Sequence, residues 1–446
     1  MRTQRPNILV FICHDLGRYL GCYGVPGVRT PHIDAFAASG LLFENSFCVA
    51  PQCSPSRAAL WTGRYPHANG VVGMAHTEYA NDLKPDERHL AQVLAGHGYE
   101  TRLFGVQHEA SSPERCGYQH AHPRGSCAEL ADAFCGSLAQ FSRPFFAQIG
   151  FFEPHRPFPS DTEPLDADEV AIPPYLPDIP VVREDLVDME ASIASIDKAF
   201  GRVLAALETA GLADDTVVVF TADHGIPFPL SKMSLYDAGI EVPLLMRIPG
   251  LGASSAASAA ETGQPEEAGG RRFGEFVTHA DFVPTVLEML GIEPPPKLHG
   301  RSYWSLLCGD EYGPSDCVFV EKTYHVYYDP MRAIRTERWK LIANFEFSPR
   351  IETPPDFLNN GKSYPEISVA LDVSSTGLNH PPFELFDLER DPLEQNNLAE
   401  DPDYAAIRDG LARRLRAWME ETEDPLLDGP MVQATYINRM RAFKSL

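Results

Sequence analysis

The chain is short of positive charge, of paired cysteines and of long apolar runs, and each shortage removes a class of function. Lys and Arg total 37 against 62 Asp and Glu, for a formal net charge of -25. That balance disfavours a sequence-independent grip on nucleic acid phosphates or anionic lipid, since the protein's own field repels both. An anionic ligand has to be drawn in by cations clustered locally. The nine cysteines, Cys13, Cys22, Cys48, Cys53, Cys116, Cys127, Cys135, Cys308 and Cys317, are odd in number and show no C-x-x-C pair of the kind that holds structural zinc. A reduced, cytoplasmic protein is the expectation. Asn7 to Ile12 is apolar but too short to cross a bilayer, and no small-residue cleavage site follows it, so neither a membrane span nor a signal segment is expected.

What is present is a chain of 446 residues with 44% hydrophobic content, enough for a large core and beyond the usual size of one domain. The expected division is 1–309 and 310–446. In the first part, Asn7 to Ile12, Phe145 to Phe151 and Thr216 to Thr221 read as buried parallel strands, with Thr101 to Phe104 a shorter one. Pro31 to Phe43, Arg88 to Ala95 and Arg183 to Ala210 read as helices, the last with Leu186, Met189, Ile193, Ile196, Phe200, Leu204 and Leu207 on one face. Pro157 to Pro180 reads as an ordered loop over a site mouth, and Gly252 to Gly270 as a flexible surface insertion. Thr278 to Asp281 opens a helix over Phe282 to Leu290, with His279 and Asp281 as capping or structural groups. In the second part Val318 to Glu321, Arg332 to Arg335, Trp339 to Asn344 and Phe383 to Asp387 suggest a small antiparallel sheet. The stretch Tyr404 to Met419 would cover it as a helix.

A doubly wound sheet carries its functional loops at the carboxyl ends of its strands. Polar groups follow four of the expected strands: His14-Asp15, His108, His155 and Asp223-His224. Two aspartates brought to one sheet edge suit a divalent cation. The other concentration of chemistry is Cys53-Ser54-Pro55-Ser56-Arg57. Ser54 reads as an N-cap and Pro55 as part of a first helical turn, which puts Cys53 just before a helix N-terminus. Unpaired N–H groups and the dipole favour an anion there, and Arg57 adds a cation one turn on. Taken singly, each has a plainer reading: a buried thiol before a capped helix, a His-Asp loop, a histidine in a rigid proline turn, a solvated Lys232.

The longer string from Cys53 through Ala58, Leu60, Thr62 and Gly63 resembles the signature of the type I sulfatases. Gly73-Met74-Ala75-His76, Asp223 to Pro229, Tyr327 to Arg332, and Phe383 to Asp387 with Asn397-Leu398 look most like the heparan N-sulfatase, or sulfamidase, branch. The resemblance implies an α/β, alkaline-phosphatase-like fold. A large, mixed, mostly parallel sheet flanked by helices would be joined to a smaller C-terminal antiparallel sheet with a helix. It also implies that a formylglycine-generating enzyme oxidises Cys53 to formylglycine. One hydroxyl of the hydrated aldehyde would attack sulfur, and the second would later expel sulfate. Carried over residue by residue, Arg57 would steady the nucleophile, His108 would assist elimination, His155 would protonate the leaving atom and Lys232 would bind sulfate. Asp15, Asp223 and His224, with Cys53 itself, would hold the cation.

Two positions depart from the pattern. His14 stands where most sulfatases have a first aspartate, and Val106 stands where the loop G-K-x-H supplies a lysine. Calcium is the first choice of ion for the carboxylates, the nitrogen donors bring manganese or another softer ion into consideration, and magnesium stays open beside them. The substrate class implied is a small sulfated sugar or sulfate ester, with an N-linked sulfate on glucosamine first. Two other readings stay open: a formylglycine-dependent phosphodiesterase or phosphonate monoester hydrolase, and a sulfated-glycan-binding protein with reduced catalysis.

Overall fold

The computed structural model describes residues 5–75, 81–141, 144–163, 165–251, 270–325, 327–350, 379–432 and 434–445. An eight-stranded sheet runs from edge to edge as His120–His122, Glu100–Gly105, Phe145–Gly150, Asn7–Cys13, Thr216–Ala222, Leu244–Arg247, Leu41–Phe43 and Arg271–Phe273. The first five are mutually parallel, and Leu244–Arg247 is the antiparallel member between its neighbours. The central strand shows why the sheet is covered on both sides. Leu9, Phe11 and Cys13 pack with the helices Pro31–Ser39, Cys127–Ser137 and Pro180–Thr209, whereas Ile8, Val10 and Ile12 pack with Cys53–Thr62, Leu90–Gly96 and Phe282–Met289. Period-2 alternation sends successive side chains to opposite faces, so a run apolar at every position belongs between two helical layers. Each large side chain fully buried in this way contributes roughly 1.5–3 kcal/mol.

The helix expected over Pro31 to Phe43 ends at Ser39, and Leu41–Phe43 is a strand. The cause is close backbone contact at Gly40, where a Cβ would lie 2.6 Å from the Met246 carbonyl oxygen, and Leu41 and Leu42 pair with Met246 and Leu245. The loop after Pro157 is anchored on the long helix, and its Ala171 to Tyr175 line a cavity with Gly17 and Ile226, close to the residues that follow Asp15 and His224. Its hydrogen bonds run to the Pro180–Thr209 helix, from Ser192 Oγ to the Pro159 carbonyl and from Thr162 Oγ to the Ala191 carbonyl, and Arg29 donates to the Glu163 carbonyl. Its described residues line no part of the histidine pocket considered below. The expected insertion 252–269 and His76 lie outside the described residues.

A second, four-stranded antiparallel sheet is formed in chain order by Cys317–Tyr324, Tyr328–Thr336, Trp339–Asn344 and Phe383–Asp387. Helix Ala405–Glu421 covers one face through Leu411, Leu415 and Trp418. The other face packs on Phe47, Leu235 and Ile240. No described helix is long and apolar enough to cross a membrane, and all nine cysteines are free.

Arg332, fully buried in the second sheet, donates from Nε to Asp424 Oδ2 at 2.5 Å and from Nη2 to Oδ1 at 3.1 Å. Removing one partner of such a pair strands the other's charge. Asp424→Ala is therefore expected to destabilise the fold by about 3 kcal/mol, the lower end of the usual range, because Glu321 lies 3.4 Å from the same guanidinium. A denaturant midpoint measures this. Burial pushes the Asp424 carboxyl up, but Arg332 more than offsets it and the net shift is downward. Its contribution is therefore full above the unfolded value near ~3.9 and is lost as pH falls through the depressed folded value.

Candidate active site

Four parallel strands deliver their following residues to one edge of the sheet. After Cys13 come His14 and Asp15; Asp15 adopts φ 49°, a left-handed conformation that aspartate tolerates better than most residues. Its backbone N–H donates to Asp223 Oδ1 at 2.9 Å. Asp223 and His224 follow Ala222, and Gly225 is required next, since a Cβ there would lie 2.1 Å from the Ala238 carbonyl oxygen. His108 follows Gly105, and His155 follows Gly150.

The fifth contribution comes from helix Cys53–Thr62, all of whose residues are buried. Here the expected boundary shifts. Cys53 is the first helical residue, Gln52 occupies the N-cap position without a side-chain cap bond, and the Ser54 hydroxyl instead accepts from the Ala75 N–H at 3.1 Å. Cys53 Sγ lies 3.3 Å from His224 Nε2 and 3.9 Å from Asp15 Oδ1. His224 Nε2 is in turn 3.3 Å from Asp15 Oδ1. Lys232 Nζ reaches Asp15 Oδ2 at 2.8 Å, and His155 Nε2 is 3.9 Å from that oxygen. Arg57 Nε donates to Asp223 Oδ2 at 3.0 Å, while His14 Nδ1 is 3.2 Å from the same oxygen without hydrogen-bond alignment.

Burial and charge set the protonation states. Burial raises the Cys53 thiol well above its ordinary pKa; Lys232 and Arg57 oppose this, and Asp223 and Asp15 reinforce it. The group is a thiol, not a thiolate. Burial lowers His14 well below the ordinary imidazole value, with Arg57, His108, His155 and Lys232 adding to the effect, so His14 is neutral with lone-pair electrons available. Burial would raise the Asp223 carboxyl, but His224 and Arg57 hold it below the usual range. Two carboxylates and two fixed cations thus share one buried volume.

His14, Asp15, Cys53 and Asp223 each place a donor atom within 4.8 Å of the others. Both nitrogens of His14, and both terminal nitrogens of Arg57, are buried without a hydrogen-bond partner. Buried polar atoms left in this state are costly unless a ligand satisfies them. Two carboxylates with one neutral imidazole and the adjacent Cys53 side chain fit a divalent cation beside the two aspartates, and the guanidinium fits an anion next to it. Beside this cluster lies a cavity of about 500 Å³ that shares His14 with it and is lined further by His108 and His155.

The expected residues are thus assembled in one place, and three supporting groups join them. Ser56 Oγ donates to the Asp223 carbonyl at 2.5 Å and lies 3.0 Å from His279 Nδ1, so the structural role expected for His279 is to brace the back of the site. Burial lowers the pKa of His279 to about 3, so it does so as a neutral ring. Glu109 accepts the His108 backbone N–H at 2.8 Å and lies 3.4 Å from His89 Nε2. Arg156, paired with Asp185 at 2.7 Å, ties the turn carrying His155 to the long helix. The adjacency of Ser56 to Arg57, Glu109 to His108 and Arg156 to His155 was the available signal. Nothing in the sequence named their partners.

A family model described as Sulfatase matches residues 6–292. The human N-sulphoglucosamine sulphohydrolase is 29% identical, with 96% of this chain and 93% of that enzyme aligned. Human arylsulfatase A is 26% identical over 89% of this chain and 84% of its own length. Among solved structures, a protein in complex with its substrate D-glucosamine-2-N,6-O-disulfate matches with a TM-score of 0.71 at 19% identity, covering 94% of this chain and 99% of that one. The phosphonate monoester hydrolase of Agrobacterium radiobacter matches with a TM-score of 0.69 at 22% identity, covering 94% and 96% respectively. The signature around Cys53, the sheet that presents both aspartates and the family match over most of the large-sheet region agree: the chain belongs to the sulfatase family.

Proposed function

We propose that this sulfatase hydrolyses a sulfate ester or sulfamate on a small sulfated amino sugar, using a formylglycine made from Cys53 and one divalent cation. The observation that carries the reading is the position of Cys53, at the head of a buried helix and within 4 Å of both His224 and Asp15. A thiol whose pKa is raised is a poor nucleophile, so the geometry favours a modified Cys53 over a cysteine hydrolase. The aldehyde hydrate would supply the attacking oxygen, and the cation would supply charge neutralisation.

The chain's own groups divide the remaining work. Asp15 and Asp223, with His14 and His224, would hold the cation, calcium first and manganese or magnesium after it. Arg57 would use its unpartnered nitrogens to hold an oxygen of the nucleophile or the sulfate. Lys232, already against Asp15, would bind a sulfate oxygen. His155 at the pocket edge would give a proton to the leaving nitrogen or oxygen, and His108 would take one as sulfate is expelled. Sequence division at 1–309 and 310–446 would make the large sheet the catalytic unit, with the second sheet buttressing it. Maturation would require a formylglycine-generating enzyme, and the compartment expected from composition is the cytoplasm.

Peptide mass spectrometry reading Cys53 against its aldehyde tests the modification. Substrate class is tested by comparing kcat/KM for N-sulfoglucosamine, 6-O-sulfoglucosamine, an aryl sulfate and a phosphate diester with one metal-replete, aldehyde-bearing preparation. N-Sulfoglucosamine is expected to lead. Preference for the aryl or 6-O-sulfate, without release from the N-sulfated sugar, would remove the N-sulfatase assignment. A phosphate diester turned over fastest would change the reaction class.

A further inference from the structure

The cavity beside the catalytic histidines has an unusual lining for this chain. In a protein with 62 acidic residues, none of the described ones lines the cavity wall, which instead carries four histidines, His14, His108, His122 and His155, and Arg124. Arg124 belongs to the short loop between strand His120–His122 and helix Cys127–Ser137. Its guanidinium carbon sits 3.4 Å from the centre of the Phe152 ring. Phe152 in turn lies 4.6 Å from the His155 ring and 5.8 Å from the His14 ring, measured between centroids. One aromatic ring therefore separates Arg124 from two groups of the catalytic site.

A guanidinium lying over an aromatic face keeps its N–H donors in its own plane, directed outward past the ring edge and able to meet a planar or tetrahedral oxyanion. No hydrogen bond or ion pair to Arg124 is present among the described residues, although Arg57, Arg156 and Arg332 are each paired with a carboxylate. Glu153 is the carboxylate whose charge reaches Arg124, yet its Oε1 accepts from the Cys127 N–H at 3.0 Å. The ring holds the cation in place, and no carboxylate among the described residues lines the pocket. A volume of about 500 Å³ falls within the usual range for small-ligand sites.

We infer that Arg124 recognises a second anionic group on the substrate, a sulfate or carboxylate distinct from the one that is cleaved, so that the enzyme prefers sugars carrying at least two negative charges. This rests on the proposed function, because it assumes that the scissile group sits at Cys53 and the rest of the sugar fills the cavity. Phe152 sets the distance between the two anions. Val106, on the same wall, contributes no charge of its own, which leaves Arg124 as the permanent cation of that surface.

The test uses binding, so that it does not depend on turnover. Cys53→Ala protein with metal is titrated with N-sulfoglucosamine, with the same sugar carrying a second sulfate at O6, and with N-sulfoglucosamine linked to a uronic acid. At least one doubly charged ligand is expected to bind about 10-fold or more tightly than the singly charged one, the scale of one well-placed charged hydrogen bond. That gain should vanish in Cys53→Ala/Arg124→Ala, and which ligand loses it tells sulfate from carboxylate. Cys53→Ala/Arg416→Ala, which removes an exposed cation on the C-terminal helix, should retain the gain and so controls for net charge. No gain from either second anion, or no detectable binding of any of the three, overturns the inference. So does equal weakening of all three ligands by Arg124→Ala, which would place Arg124 on the scissile group. Failure of the proposed function is read separately, from turnover by the Cys53 enzyme.

Discussion

Cys53→Ala is expected to abolish turnover, by on the order of 10⁴-fold or more, the usual scale for loss of a nucleophile, while the protein remains folded. Cys53 is 1% exposed, but the change removes a single sulfur atom, and no strong hydrogen bond depends on it: its nearest polar neighbours are 3.3 and 3.9 Å away. A stability loss of about 1 kcal/mol is the scale to expect for so small a deletion. Steady-state hydrolysis by purified variant, together with its denaturation midpoint, measures both quantities. Undiminished hydrolysis would remove Cys53 from the chemistry altogether. Cys53→Ser adds a second check. It preserves the polar shape but denies a cysteine-specific oxidase its thiol, so it too should be inactive and show no aldehyde by mass.

The second large effect is expected at Asp223, where function and stability fail together. Its carboxylate takes Arg57 Nε at 3.0 Å and the backbone N–H groups of Asp15 and His224 at 2.9 and 3.0 Å. Asp223→Ala strands a fully buried guanidinium, a change expected to cost about 3–5 kcal/mol. It also removes one of two anionic oxygen donors from the proposed cation site. Asp223→Asn separates these effects, because the amide oxygen can still accept hydrogen bonds while the charge is gone. Elemental analysis should show reduced occupancy in both Asp223→Asn and Asp15→Asn, with activity falling in parallel. Full occupancy in both would place the ion elsewhere. Asn also keeps the tolerance for positive φ needed at position 15, which makes it the cleaner replacement there than alanine.

The strand-end residues were legible because a continuous apolar run that stops at a polar pair marks a buried strand leaving the core. Ala222-Asp223 and Cys13-His14 are both of this kind. The helix start at Cys53 was misjudged by a residue or two, because Ser54 has the chemistry of a cap and only the fold reveals that its hydroxyl is engaged by Ala75. Leu41–Phe43 was absorbed into a helix for a similar reason. Its apolar residues continue the helical spacing, and the close approach of Met246 that ends it comes from more than 200 positions away. Arg124 carried no signal at all. Its interest arises from a ring at position 152 and from acids that stay out of a cavity, neither of which is a property of the local sequence.

The burial of Cys53 has a consequence in time. Once the molecule has folded, the thiol is sealed beneath groups from positions 15 and 224, with Lys232 closing over Asp15. A maturing oxidase that needs access to Cys53 therefore has to meet it before that closure. At ordinary synthesis speeds, roughly ten to forty seconds separate the emergence of Cys53 from that of Lys232. If Cys53 is oxidised as proposed, oxidation and folding would compete within this interval, and the aldehyde-bearing fraction of a preparation would record that race. Slower elongation after residue 53, or a larger supply of oxidase during expression, should raise the specific activity of the product, whereas treatment of the finished protein should leave it unchanged.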